Sequence, residues 1–138
     1  MFKPGDATQK KELPFYTDRI SAGFPSPAED HIEKKLDLNE LVIKHPSASY
    51  FVKVTGDSMK NSGINDGDVL VVDKSLSAVD NDIVIAVLNG ELTVKRVKRS
   101  RKDLFLVPEN PEFEPIKITP EMDLIVWGVV TAVIHRLK

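Results

Sequence analysis

The sequence contains no cysteine. This excludes disulfides, a thiol nucleophile and cysteine-ligated zinc, and it fits a reducing compartment such as the cytoplasm. An apolar stretch of membrane-spanning length is also lacking. The opening residues Met1-Phe2-Lys3-Pro4-Gly5-Asp6 carry no hydrophobic core of secretory-leader type. The longest apolar run, Leu124 to Ile134, is short and interrupted by Gly128, so it reads as a buried strand rather than a bilayer span. Neither sign of charge is in excess. Nineteen Lys and Arg stand against 21 Asp and Glu, a formal net charge of -2, which gives no bulk attraction to nucleic acid or anionic membrane. There is no internal repeat and no low-complexity tract.

What is present is a chain of 138 residues with 41% hydrophobic and 29% charged residues. That is enough for one compact domain with a tail. The tail is the N-terminal part. Residues 1–27 hold Pro4, Pro14, Pro25 and Pro27 with scattered charge and no sustained periodicity, so they read as a flexible or loosely docked arm. Two apolar patches in it, Leu13 to Tyr16 and Ile20 to Phe24, suit an extended peptide lying in a groove. A short helix is expected from about Ala28 to Asp37, with Pro27 at its N-terminal edge and Ile32 and Leu36 on one face. Asp37 to Leu41 begin a further turn.

From Ser49 onward the pattern is β. Seven short runs rich in branched residues are expected as strands: 50–54, 69–72, 83–87, 92–97, 104–107, 116–118 and 124–134. Turn residues separate them, among them Asn65-Asp66-Gly67-Asp68, Asn81-Asp82 and the hairpin signal Asn89-Gly90. The fold class is therefore mostly β, a folded-over antiparallel sheet or small barrel with one short helix and a flexible N-terminal arm. The β domain would span 28–138.

Two residues stand out chemically. Ser58 lies in Gly56-Asp57-Ser58-Met59, between two expected strands, where a tight turn exposes a hydroxyl beside backbone N–H groups. A serine hydroxyl needs a base. The histidines His31, His45 and His135 lie in no recognisable triad segment, and an isolated turn serine is more often a cap than a nucleophile. Lys95 sits inside the strand 92–97. Alternation sets Thr93, Lys95 and Val97 on one face and Leu92, Val94 and Arg96 on the other, and both faces are mixed. A solvated edge-strand lysine is the plain alternative. A buried one would have a depressed pKa and would serve as a neutral base.

The order Gly56-Asp57-Ser58-Met59, then Gly63-Ile64-Asn65-Asp66-Gly67-Asp68, then Thr93-Val94-Lys95-Arg96 resembles the self-cleaving serine-lysine peptidases of the LexA and UmuD family. Gly23-Phe24-Pro25-Ser26-Pro27-Ala28 and His45 to Lys53 point to its UmuD branch, and the short arm leaves no room for the DNA-binding domain of LexA. The resemblance runs from about Phe24 to the C-terminus. It implies that Ser58 is the nucleophile, Lys95 the general base, and the backbone N–H groups of Asp57 and Ser58 the oxyanion hole. It implies that Ala22-Gly23 is the cleaved bond, since the family uses a small residue followed by glycine. It further implies a cytoplasmic homodimer, stimulation by a RecA filament on single-stranded DNA, and service to an error-prone, UmuC-like Y-family DNA polymerase in the SOS DNA-damage response. No cofactor, metal, membrane or sequence-specific DNA contact is implied. The alternatives are a non-catalytic polymerase adaptor with inert Ser58 and Lys95, and a signal-peptidase-like enzyme, a membrane-anchored family for which no anchor is seen.

Three further features have plain readings. The basic run Lys95, Arg96, Lys98, Arg99, Arg101 and Lys102 has no interleaved aromatics for base stacking and reads as a solvated hairpin tip. Asp66 and Asp68 do not have calcium-loop spacing and read as turn devices. Trp127 is expected in the core or at a dimer interface.

Overall fold

A computed structural model describes residues 11–16 and 32–138. The chain divides into two units, Met1–Lys44 and His45–Lys138. In the first, β1 (Glu12–Tyr16) pairs antiparallel with β2 (Ile32–Asp37), in the register Leu13 to Leu36 and Phe15 to Lys34. The helix expected over Ala28 to Asp37 is thus not formed by residues 32–37, which are strand. The i,i+4 spacing of Ile32 and Leu36 also fits one face of a strand, and the deciding partner, β1, is remote in sequence. Pro14 is tolerated because β1 pairs on one side only. The expected boundary at 27/28 lies outside the described residues. The turn expected after Asp37 is present as α1 (Leu38–Val42), capped by the Asp37 carboxylate, which accepts from the Asn39 N–H at 2.8 Å.

The second unit is a seven-stranded antiparallel sheet. Its strands are β3 (Ser49–Lys53), β4 (Val69–Asp73), β5 (Ile83–Leu88), β6 (Glu91–Ser100), β7 (Asp103–Val107), β8 (Ile116–Lys117) and β9 (Leu124–Ile134). They lie in the order β3-β4-β9-β5-β6-β7-β8. The mostly β, antiparallel architecture expected from the sequence is the one observed. Asn89-Gly90 closes the β5–β6 hairpin with both residues at positive φ, 50° and 83°, as a two-residue turn matching strand twist requires.

The last strand organises the sheet. Residues 124–129 of β9 pair with β5, and residues 129–134 pair with β4, with a register shift in each ladder. Around it lie two apolar clusters. Val54, Met59, Ile64, Leu70, Val72 and Ile85 form one, and Val84, Ala86, Val97, Leu106 and Val129 the other. Ile85 belongs to the first and its neighbours to the second, so β5 is buried on both faces, which explains its uninterrupted apolar sequence. β9 is less buried than its sequence suggests. Gly128 and Val129 are buried, but Ile125, Val126 and Trp127 are about half exposed. Trp127 is therefore not a core residue, because nothing in the described chain covers that stretch of the sheet.

Gly128 is held to glycine by packing. A Cβ there would lie 2.6 Å from Val72 Cγ1 and 3.1 Å from the Asp73 carbonyl oxygen. Gly128→Ala is expected to destabilise the fold by about 1–3 kcal/mol through overpacking, read as a lower urea midpoint at unchanged m-value.

Two carboxylates tie strand ends to loops. Asp73, at the end of β4, accepts from the Ser75 hydroxyl at 2.6 Å and meets His45 Nδ1 at 2.6 Å, which hold its pKa down to about 2. Asp68 accepts from the Asn65 N–H at 2.8 Å and meets His135 Nδ1 at 2.6 Å, and its pKa is likewise lowered. A carboxylate depressed in the folded state stabilises the fold above its ordinary value of 3.8, and that contribution is lost as pH falls through the folded value. Stability is expected to drop between pH 4 and about 2. Asp73→Asn should flatten that drop in urea titrations across this range.

Candidate active site

The chain leaves β3 through Val54, whose N–H donates to the Asp68 carbonyl and whose carbonyl accepts from the Gly67 N–H, both at 2.8 Å. Gly56 then takes φ +90°, a conformation that side chains resist, and its N–H donates to Asp66 Oδ1 at 2.8 Å. The acidic turn 65–68 is thus a turn device, as read from the sequence, and it fixes the approach to Ser58. Past Ser58, Met59 and Ile64 are almost fully buried in the first cluster and anchor the far side of the loop. Between them lies a short 3₁₀ turn, Lys60–Ser62. A partly exposed serine is therefore held between buried or hydrogen-bonded neighbours.

Lys95 comes from β6. Residues 91–95 of this strand pair only with β5, because β7 joins at Arg96↔Val107. The first half of β6 is an unpaired edge. There Lys95 Nζ lies 3.2 Å from the Val94 carbonyl oxygen and 3.3 Å from Ser58 Oγ. Lys95 is partly buried, and burial lowers its pKa. Among the described residues no carboxylate pairs with it, so no opposite charge offsets the desolvation of its ammonium. Ser58 and Lys95 line one cleft of about 170 Å³, bordered by residues 52–55 after β3 and residues 92–94 of β6.

The N–H groups of Asp57 and Ser58 donate to no acceptor among the described residues, so both are available to an incoming oxygen. Ala22 and Gly23, expected as the cleaved bond, lie outside the described residues, as does His31. His45 and His135 are partners of Asp73 and Asp68, not of Ser58.

The basic run divides. Lys98, Arg99, Arg101 and Lys102 are exposed on the β6–β7 hairpin, as expected of a solvated tip. Arg96 is not part of that tip. Its guanidinium is paired with Glu109 and donates to the Asn81 carbonyl. Glu109 and the buried Asn110 were not singled out from sequence, yet they contact the Ser58 loop. The Glu109 N–H donates to the Ser58 carbonyl at 2.8 Å, and Asn110 Nδ2 donates to the Asp57 carbonyl at 2.9 Å. Pro108-Glu109-Asn110-Pro111 reads locally as an ordinary loop, so no local signal marks them.

A turn serine thus has an amine at hydrogen-bond distance, and the N–H groups beside it donate to no acceptor among the described residues. The chain belongs to the Peptidase S24-like family of serine peptidases, whose family model matches residues 14–131. It is 45% identical over 132 residues to protein MucA of Escherichia coli, covering 95% of this chain and 90% of the relative. It is 46% identical over 135 residues to protein SamA of Salmonella typhimurium, covering 98% and 94%. It is also 42% identical over 136 residues to the LexA repressor of Ectopseudomonas mendocina, covering 98% of this chain and 66% of the repressor. The family resemblance drawn from the Ser58 and Lys95 segments is borne out.

The lowered pKa is directly measurable. In ¹³C-detected NMR the Lys95 side chain should titrate below the ordinary lysine value of 10.5. A Lys95 that titrates at that ordinary value would leave the pair inert.

Proposed function

We propose that this chain is a self-cleaving serine-lysine peptidase that cuts its own arm, residues 1–27, at Ala22-Gly23, the domain beginning at residue 28 supplying the machinery. The observation that carries the proposal is the 3.3 Å approach of a partly buried, carboxylate-free Lys95 amine to Ser58 Oγ. Neutral Lys95 takes the Ser58 proton as Oγ attacks the Ala22 carbonyl carbon. The oxyanion is received by the N–H groups of Asp57 and Ser58. The Lys95 ammonium then returns its proton to the departing Gly23 amine, leaving Ala22 as an ester on Ser58, which water hydrolyses.

The cleft suits an extended substrate. It lies beside the end of edge strand β3 and the unpaired half of β6, so a peptide entering it meets free main-chain donors and acceptors. By resemblance to the family, cleavage is stimulated by a RecA filament on single-stranded DNA. The shortened chain, a cytoplasmic homodimer, then serves an error-prone Y-family polymerase of the UmuC type in SOS mutagenesis. The half-exposed Ile125, Val126 and Trp127 are consistent with a dimer surface. Among the described residues no helix is long and apolar enough to cross a membrane.

Incubation of the purified chain at rising pH, followed by mass spectrometry, tests the reaction. A fragment spanning 23–138 should accumulate at a rate rising about tenfold per pH unit until Lys95 is deprotonated, then level off. Ser58→Ala and Lys95→Ala should abolish it, and activated RecA should accelerate it near neutral pH. A fragment from Ser58→Ala, or none from the wild type with RecA, would refute the proposal.

A further inference from the structure

Resting on that reading, we infer that Asn110 is a positioning residue for the oxyanion hole, acting through the Asp57–Ser58 peptide. In a trans peptide the carbonyl and the N–H point in opposite directions, so whatever grips the Asp57 carbonyl aims the Ser58 N–H. That carbonyl has two donors. One is the Lys60 N–H within the turn itself, at a long 3.2 Å. The other is Asn110 Nδ2 at 2.9 Å, from a side chain that is 3% exposed. With the carbonyl so held, the Ser58 N–H is left pointing away from Asn110 with no acceptor among the described residues.

The grip is itself secured. Asn110 Oδ1 accepts from the Glu112 N–H at 3.0 Å, so both ends of the amide are engaged and its orientation is set. The preceding residue holds the next peptide. The Glu109 N–H donates to the Ser58 carbonyl at 2.8 Å, and the Glu109 carbonyl accepts from the Asn61 N–H at 2.9 Å. The Glu109 carboxylate is paired with Arg96, the neighbour of Lys95 on β6. Residues 109–110 thus lock the Ser58 loop to the strand that carries the base. An isolated turn would leave the Asp57–Ser58 peptide to its weaker internal bond, and rotation of that peptide would withdraw the N–H from the oxyanion.

Asn110→Asp separates positioning from packing. It keeps the acceptor for Glu112 but sets a carboxylate oxygen against the Asp57 carbonyl, where the peptide is repelled. Asn110→Ala removes both bonds. The plateau rate of self-cleavage at alkaline pH should fall about tenfold in Asn110→Ala and further in Asn110→Asp, the first being less than the roughly 10²–10³ lost when an oxyanion donor is removed outright, since here the N–H is misaimed rather than deleted. In Asn110→Ala, which adds no charge, the pH midpoint should stay at the wild-type value, because Lys95 is untouched, and thermal unfolding reports any general loss of fold. A wild-type plateau in both variants overturns the inference, as does a shifted midpoint with an unchanged plateau. Absence of cleavage in the wild type would instead defeat the peptidase reading. A second measurement does not depend on activity. The residual dipolar coupling of the Ser58 N–H in aligned samples should be reduced by averaging in both variants relative to wild type. An unchanged coupling overturns the positioning role whether or not the chain cleaves.

Discussion

An amine must sit beside a hydroxyl without a carboxylate to neutralise it, and much of the catalytic unit can be understood from that requirement. Lysine is charged in water, and desolvation without an ion-pair partner moves it toward the neutral form. Lys95 meets this condition at the point where β6 passes from one neighbouring strand to two. Before that point the strand edge is open to the cleft. Beyond it, β7 closes the edge. The adjacent Arg96, on the other face of the strand, is paired with the carboxylate of Glu109. Adjacent cationic residues of one strand therefore have opposite electrostatic situations, and the difference comes from which remote segment faces each.

The partner hydroxyl poses the converse problem, since a nucleophile must be exposed yet immobile. The loop meets it by alternating functions along the chain. Gly56 supplies the backbone turn, Ser58 faces the cleft, and Met59 and Ile64 are buried at 2% and 1% exposure. Burial of such side chains stabilises by about 1.5–3 kcal/mol each. The acidic turn 65–68 and residues 109–110 then bind the loop from either side by main-chain hydrogen bonds. Ser58 is partly exposed beside the buried Met59 that anchors it.

How much of this was legible in sequence follows from the range of each interaction. The strands of the second unit could be read closely, and Leu124–Ile134 to the residue, because branched apolar runs and the Asn89-Gly90 turn are local signals. The Ser58 and Lys95 segments were recognisable together, though neither was decisive alone. The strand over 32–37 was read as helix because its partner, residues 12–16, is remote and the apolar spacing fits either state. The exposure of Trp127 was hidden by an apolar run that looks buried throughout. Arg96, Glu109 and Asn110 were missed for the same reason as β2: their meaning lies in contacts across 13 to 53 residues, and each is locally an ordinary charged or loop residue.

In the proposed reaction, docking of the substrate is coupled to the state of the base. Lys95 is only partly buried, and that burial already lowers its pKa. A peptide lying along the free edge of β6 would exclude water from the same amine and lower the pKa further. The residues that bring Ala22 to Ser58 would thereby also deprotonate Lys95. An agent that favours arm docking would accelerate cleavage at neutral pH without touching the catalytic groups, whereas alkaline solution would achieve deprotonation without it. Both routes converge on the neutral amine. On this view regulation need not reshape the Ser58 loop, which its hydrogen bonds already hold in place.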